Sequence, residues 1–273
     1  MSDLLAVLVN GESGRDVSTL DRGLHYGDGV FETIAVRAGT PLLWNRHLRR
    51  LQAGAARIGM APPRGDILKT WAERVCAGHD RAVLKLIVTR GIGGRGYRSG
   101  PTTPTAVVLV YAWPEYPPNV QDGIAVRICD TRLAHQPRLA GIKHLNRLEQ
   151  VLARAEWGDD FGEGLMLDQT DYVIEGTMSN LFAVIDNELR TPDLQACGVA
   201  GVMRGLVLET ASAWLPARVA PMRCKDLARA REIFLTNSLI GIWPVRKLVD
   251  RLLAPGPIAR RLQLALRAHY VEG

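Results

Sequence analysis

Pro114, Pro117 and Pro118 fall within five residues of one another and interrupt any regular element there, because proline fixes φ and has no backbone N–H to give to a helix or a sheet. In a chain of 273 residues, long enough to bury a substantial core, such a break predicts an N-terminal α/β domain over 1–113, a linker over 114–120 and a C-terminal domain over 121–273. Strand and helix patterns mix on both sides of it. Before it, Leu4–Val9, Gly29–Arg37, Ala82–Arg90 and Thr105–Tyr111 read as strands, with a glycine-rich loop over 91–100. Arg46–Gly59 and Ile67–Cys76 read as helices, the first with an apolar stripe of Leu48, Leu51, Ala55 and Ile58. After it, Ile124–Cys129, Gly164–Leu167, Val173–Ile174, Leu181–Ile185 and Glu232–Leu235 read as strands, and His144–Glu156, Val202–Leu215 and Ile258–Tyr270 as helices. The mixture predicts an α+β fold of two domains.

Composition narrows the function classes. A formal charge of +6 calls for anionic partners. The arginines are scattered, however, and the densest cluster, Arg46, Arg49 and Arg50, is too short for a nucleic-acid arm. A small acidic metabolite is the better match, with neither nucleic acid nor membrane as partner. Cys76, Cys129, Cys197 and Cys224 form no C-x-x-C pair, and the histidines show no H-x-x-x-H spacing, which argues against a disulfide framework and a metal site. Met1–Asn10 lacks a basic n-region and no apolar run reaches membrane-spanning length, so a cytoplasmic location is expected.

The chemistry centres on Lys143. The chain has 29 Arg and only 5 Lys, and a lysine retained in an apolar segment can be neutralised into a nucleophile where an arginine cannot. Glu175, thirty-two positions later in YVIEGTMSNLF (172–182), supplies a carboxylate suited to a protonated pyridine nitrogen. Together they are the minimum kit for pyridoxal phosphate chemistry. The run CGVAGVMR (197–204) leads into a helix, so it reads equally as a phosphate-binding helix N-terminus or as an ordinary glycine turn. Arg204 in the first turn opposes the helix dipole, which a bound anion would explain. Arg50, beside the apolar Leu51, is placed to reach an internal anion. Strand alternation puts Lys85 on the face of Val83 and Ile87, and Arg95 sits among glycines in the loop that follows. The two cations suit carboxylate recognition; a flexible surface loop and a gatekeeper lysine on an edge strand are the alternative.

Taken together, HYGDGVFET (25–33), HLRRL (47–51), Lys143, EGTMSNLF (175–182) and GVMR (201–204) resemble, in order and spacing, the class IV aminotransferases of pyridoxal phosphate fold type IV. That family includes branched-chain and D-amino acid aminotransferases and the aminodeoxychorismate lyases. Within it, LKLIVTRGIGGRGY (84–97) and GIKHLNRLE (141–149) are similar to the lyase subgroup.

The resemblance implies a smaller N-terminal α/β sandwich, a larger C-terminal pseudo-barrel, bound pyridoxal 5'-phosphate and a homodimer. It implies that Lys143 is the Schiff-base lysine and Glu175 the partner of the pyridine nitrogen. Arg50, the backbone of Val202 and Met203, and Ser238 fall at the cofactor-binding positions. Thr33 falls where the lyases have a threonine suited to proton transfer, and Lys85 and Arg95 become candidates for the two carboxylates of a dicarboxylate substrate. Leu148 departs from the aminotransferases that place a tyrosine there, which weakens the branched-chain alternative. The expected activity is pyridoxal phosphate-dependent release of 4-aminobenzoate and pyruvate.

Overall fold

The computed structural model describes residues 3–117 and 120–267. Part of the expected linker, Pro118 and Asn119, lies outside the described residues, as does the end of the expected helix 258–270. The described residues divide into two units, one comprising 3–115 and 142–146, the other 116–117, 120–141 and 147–267.

The first unit contains β1 (Leu4–Val9), β2 (Glu12–Ser13), α1 (Arg22–Tyr26), β3 (Gly29–Arg37), β4 (Thr40–Pro41), α2 (Trp44–Arg57), α3 (Gly65–Cys76), β5 (Arg81–Thr89) and β6 (Thr105–Ala112). The strands form an antiparallel sheet in the order β2-β1-β6-β5-β3-β4. Strand alternation divides its two faces. Ile34, Val36, Leu84, Leu86, Val88, Val108 and Val110 are buried in one core with Leu51 and Ala55 of α2 and Leu68 and Ala72 of α3. Leu48 and Ile58, the other two members of the α2 stripe, pack against that core half-buried. On the opposite face Phe31, Thr33, Lys85, Ile87, Val107 and Leu109 are only half-buried, so the strands offer a mixed apolar and cationic surface.

Residues 142–146 correct the expected helix 144–156. They run beside β3, with the Phe31 N–H donating to the Lys143 carbonyl (2.9 Å) and the Leu145 N–H to the Gly29 carbonyl (3.0 Å). Pairing with the strand outcompetes the helical pattern of the first four positions, and the helix, α4, is confined to Leu148–Arg154.

The second unit contains β7 (Ile124–Leu133), α4, β8 (Glu163–Asp168), β9 (Val173–Gly176), β10 (Asn180–Ile185), β11 (Glu188–Thr191), α5 (Val202–Ser212), β12 (Ala217–Val219), α6 (Cys224–Leu227), β13 (Glu232–Asn237), β14 (Gly241–Leu248), β15 (Arg251–Leu252) and α7 (Pro257–Leu266). Its sheet runs β12-β11-β10-β13-β14-β7-β8-β9, with β15 on β14. Residues of β8 serve both faces: Leu165 and Leu167 join a cluster with Leu181, Ile233 and Leu235, while Met166 joins Cys129, Ala153, Trp157 and Ile174. That two-sided burial explains the unbroken apolar runs of β8 and β10. β14 escapes the sequence reading because it contains Pro244, which ordinarily argues against an interior strand. Here Pro244 pairs with Phe234 across β13, and the strand becomes irregular just beyond it, between Val245 and Lys247.

Candidate functional site

In the first unit, the backbone pairing of residues 142–146 with β3 carries Lys143 to Phe31. The Lys143 ammonium lies 4.5 Å from the Phe31 ring centroid and that of Lys85 lies 5.6 Å from the same centroid. Both are within cation–π range. Thr33, two residues from Phe31 and so on its face, pairs directly with Lys85 across β3 and β5. The two lysines and the threonine singled out from the sequence thus share one sheet face.

Behind that sheet lies a buried ionic group in which Arg50 meets two residues, Glu32 and His47, to which the sequence reading assigned no role. Glu32 points toward α2, where the Arg50 Nε donates to its Oε1 (2.8 Å) and Arg50 also pairs with its Oε2. His47 Nδ1 lies 2.6 Å from Oε2. Burial raises the Glu32 pKa, but the Arg50 charge and the hydrogen bonds from His47 and Arg50 overcome it and hold the carboxyl at about 2. Burial pushes the His47 pKa down, and the Arg50 and Lys143 charges add to this against the pull of Glu32. A neutral His47 donating from Nδ1 to an ionised Glu32 satisfies both groups. Arg50 is therefore held by a carboxylate on the core side of the sheet.

Arg95 is exposed on the loop after β5. The loop is fastened by Arg22, which is 4% exposed. Its guanidinium donates to the carbonyls of Gly96 (2.8 Å) and Tyr97 (3.3 Å) and to Asp28 (3.0 Å), while the Tyr26 hydroxyl accepts from the Gly96 N–H (3.0 Å). Nothing in the periodicity singled out Arg22, whose carbonyl partners Gly96 and Tyr97 are more than seventy residues away.

In the second unit, Glu175 is 4% exposed near the end of β9. Its Oε2 accepts the Val199 N–H (2.8 Å) and the Asn180 side-chain amide (3.4 Å), and that amide also donates to the Val199 carbonyl (2.9 Å). The glycines of the 197–204 run make this approach feasible. Gly198 has φ +87°, a conformation that favours glycine, and a methyl group on Gly201 would overlap Asn180 Oδ1. Gly201 then opens α5 without a side-chain cap. Val202 and Met203 follow in the first turn, where helix N–H groups point outward along the axis toward an acceptor beyond the helix.

Arg204 corrects one inference. Its guanidinium donates to Thr191 Oγ1 (3.2 Å) and to the Pro192 carbonyl (2.9 Å), so its position in the first turn is accounted for by the end of β11 and needs no bound anion. Ser238 stands in the turn joining β13 to β14. That turn is shaped by the Asn237 side chain, whose Oδ1 accepts the N–H groups of Leu239 and Ile240 (both 2.9 Å). Leu148 is 69% exposed on α4.

A lysine beside Phe31 on one unit and a buried carboxylate near a glycine-flanked helix N-terminus on the other are each recognisable by themselves, and comparison with known proteins identifies the family. A crystal structure of 4-amino-4-deoxychorismate lyase from Pseudomonas aeruginosa is 48% identical, with a TM-score of 0.91 over 96% of this chain and 98% of that one. The aminodeoxychorismate lyase of Vibrio harveyi is 38% identical over 93% of this chain and 97% of its own length. A hypothetical aminotransferase from Mycobacterium tuberculosis, in a pyridoxal phosphate-bound form, is 25% identical with a TM-score of 0.82 over 99% of both chains. The family model for amino-transferase class IV matches residues 29–248, which take in β3, Lys143, Glu175 and the α5 N-terminus alike, and the chain belongs to that family.

Proposed function

We propose that the chain is a pyridoxal 5'-phosphate-dependent lyase that converts 4-amino-4-deoxychorismate to 4-aminobenzoate and pyruvate in folate biosynthesis. The observation that carries the reading is the second cation beside the reactive amine: Lys85 and Lys143 approach the same Phe31 ring, with Thr33 opposite Lys85. A substrate with two carboxylates gives Lys85 a purpose that an aliphatic amino acid does not, and the similarity to lyases from two organisms points the same way.

The residues of the second unit fit the cofactor. A buried carboxylate oriented by Val199 and Asn180 suits a protonated ring nitrogen, and the Gly201 cradle, which a side chain would fill, leads to amides suited to a phosphate. When bound, pyridoxal phosphate supplies an electron sink for the carbon that bears the amine. Glu175 keeps the ring nitrogen protonated. Val202 and Met203 offer backbone N–H groups, and Arg50 and Ser238 add to the phosphate grip. Lys143 would take the proton from the amine-bearing carbon of the substrate, for which its amine must be neutral. Thr33 delivers a proton to the departing enolpyruvyl group, whose C–O bond breaks as the ring becomes aromatic. One proton leaves carbon and one returns to the leaving group, so no amino acceptor is consumed. Lys85 and Arg95 bind the two carboxylates.

A homodimer in the cytoplasm belongs to the same reading. Leu148, Val151 and Leu152 form a stripe on α4 that is 69%, 61% and 54% exposed, an apolar face consistent with a contact between copies. Among the described residues no helix is long and apolar enough to cross a membrane.

The test is acceptor-free turnover. Protein loaded with pyridoxal phosphate and supplied with 4-amino-4-deoxychorismate should release pyruvate, followed by NADH oxidation through lactate dehydrogenase, with no keto acid present. Turnover that appears only when a keto acid is added would make it an aminotransferase instead.

A further inference from the structure

Glu163 is 1% exposed and carries no role in the reading above. Its Oε1 accepts the N–H groups of Gly164 (3.0 Å) and Thr177 (3.1 Å) and the Thr177 hydroxyl (2.6 Å). Its Oε2 accepts the Met178 N–H (3.2 Å) and the Ser179 hydroxyl (2.8 Å). An ionised carboxylate offers about four lone-pair sites, so these donors saturate it. All but Gly164 belong to residues 177–179, the turn between β9, which carries Glu175, and β10, whose first residue is Asn180, the side-chain partner of Glu175.

The same turn is tied on its other side. The Met178 carbonyl accepts the Asn237 side-chain amide (3.0 Å), and the Oδ1 of that side chain shapes the turn that holds Ser238. A continuous set of hydrogen bonds therefore runs from Glu163 through 177–179 to Asn237 and on to 238–240, joining segments some sixty residues apart in sequence. The Glu163 end of this set is buried and satisfied, which holds a single geometry, while the tie from Asn237 to Met178 lies at the surface.

We propose that Glu163 and Asn237 are positioning residues that lock the Glu175 carboxylate and the Ser238 turn into one body, so that the seat of the ring nitrogen and the serine turn grip the cofactor together. The inference rests on the cofactor roles given to Glu175 and Ser238 above. Its consequence is that a change in one turn is felt in the other, although neither Glu163 nor Asn237 needs to touch the cofactor.

Asn237→Asp is the decisive variant. It keeps an Oδ1 to accept from Leu239 and Ile240 and replaces the amide donor with an oxygen facing the Met178 carbonyl, so it severs the tie without removing the cap. Pyridoxal phosphate affinity, titrated by visible absorbance, should fall roughly tenfold, the scale of one hydrogen bond replaced by a repulsive pair. The thermal midpoint of the cofactor-free protein should fall by no more than about 5 °C, the scale of that one lost bond. Combined with Ser238→Ala, the loss should be smaller than the product of the two single losses, the mark of coupled residues.

The Glu163 arm is read with Thr177→Val, which removes only the hydroxyl donor and should weaken cofactor binding about threefold, and with Thr177→Ser, which should restore it. Asn237→Asp with unchanged affinity, or losses that multiply with Ser238→Ala, would overturn the proposal. Wild-type protein that takes up no pyridoxal phosphate would overturn the functional reading itself, whereas a wild type that binds it beside a silent Asn237→Asp overturns only the coupling.

Discussion

Glu32→Gln tests the buried ionic group behind the β3–β5 sheet. The Glu32 pKa lies at about 2 against an ordinary 4.5, and at about 1.4 kcal/mol per pH unit that gap corresponds to on the order of 3 kcal/mol of stability at neutral pH. Removing one member of a buried pair has a similar cost, about 3–5 kcal/mol, because the remaining charge loses its counter-ion. Arg50, with 14% of its side chain exposed, cannot turn fully into water to escape this. Glu32→Gln should therefore lower the unfolding free energy of the cofactor-free protein at pH 7 by about 3 kcal/mol, measured by urea titration with circular dichroism.

The pH dependence identifies the cause. A carboxyl whose folded pKa is depressed contributes stability that is fully present above its unfolded pKa and is lost as pH falls through the folded value. The deficit of Glu32→Gln should thus shrink from about pH 4.5 downward, toward pH 2. His47, also depressed in the folded state, contributes stability lost as pH falls below its ordinary 6.5. Its effect runs in the same direction and begins higher, at 6.5, so the Glu32 signal is read as the difference between wild type and variant from about pH 5 to 3. A deficit below about 1 kcal/mol at pH 7, or one that does not change between pH 5 and 3, would refute the assignment of the depressed pKa to a strong Arg50–Glu32 pair.

Lys85→Gln should raise KM roughly tenfold with kcat within about twofold, as expected when ground-state binding of a carboxylate is lost. Thr33→Val should lower kcat and kcat/KM together by about a hundredfold, the usual scale of a general acid, with KM nearly unchanged; steady-state kinetics of pyruvate release separates the two patterns. Arg22→Ala should free the loop 91–100, seen as faster proteolysis there, and raise KM while leaving the visible spectrum of the bound cofactor as in the wild type. Gly201→Ala, which brings a methyl group onto Asn180 Oδ1, should weaken pyridoxal phosphate binding about tenfold or more in an absorbance titration.

What the sequence made legible follows the range of the forces involved. Strand alternation and helical stripes are local, so β1 and β3 match their expected limits, and Leu51 and Ala55 are buried where the stripe placed them. Chemistry-bearing residues embedded in short motifs, such as Lys143, Glu175 and the glycines of 198–201, were legible as types for the same reason. Residues whose meaning lies in distant partners were not. Glu32 looks like one polar residue in an alternating strand until α2 brings Arg50 onto it. Arg22 reads as a loop cation until the chain returns at Gly96, and Glu163 as an ordinary strand-edge charge until the turn 177–179 closes over it. The misread start of α4 belongs with these, because His144 to Arg147 has helical spacing and only the open edge of β3 makes the extended form the better one. The error is informative about function. If residues 142–146 were helical, Lys143 would be tethered to α4; held as a strand, its backbone is fixed by Phe31 and its amine is carried to the face that also holds Thr33 and Lys85. The sheet pairing that defeats the periodic reading is thus what gives Lys143 its neighbours.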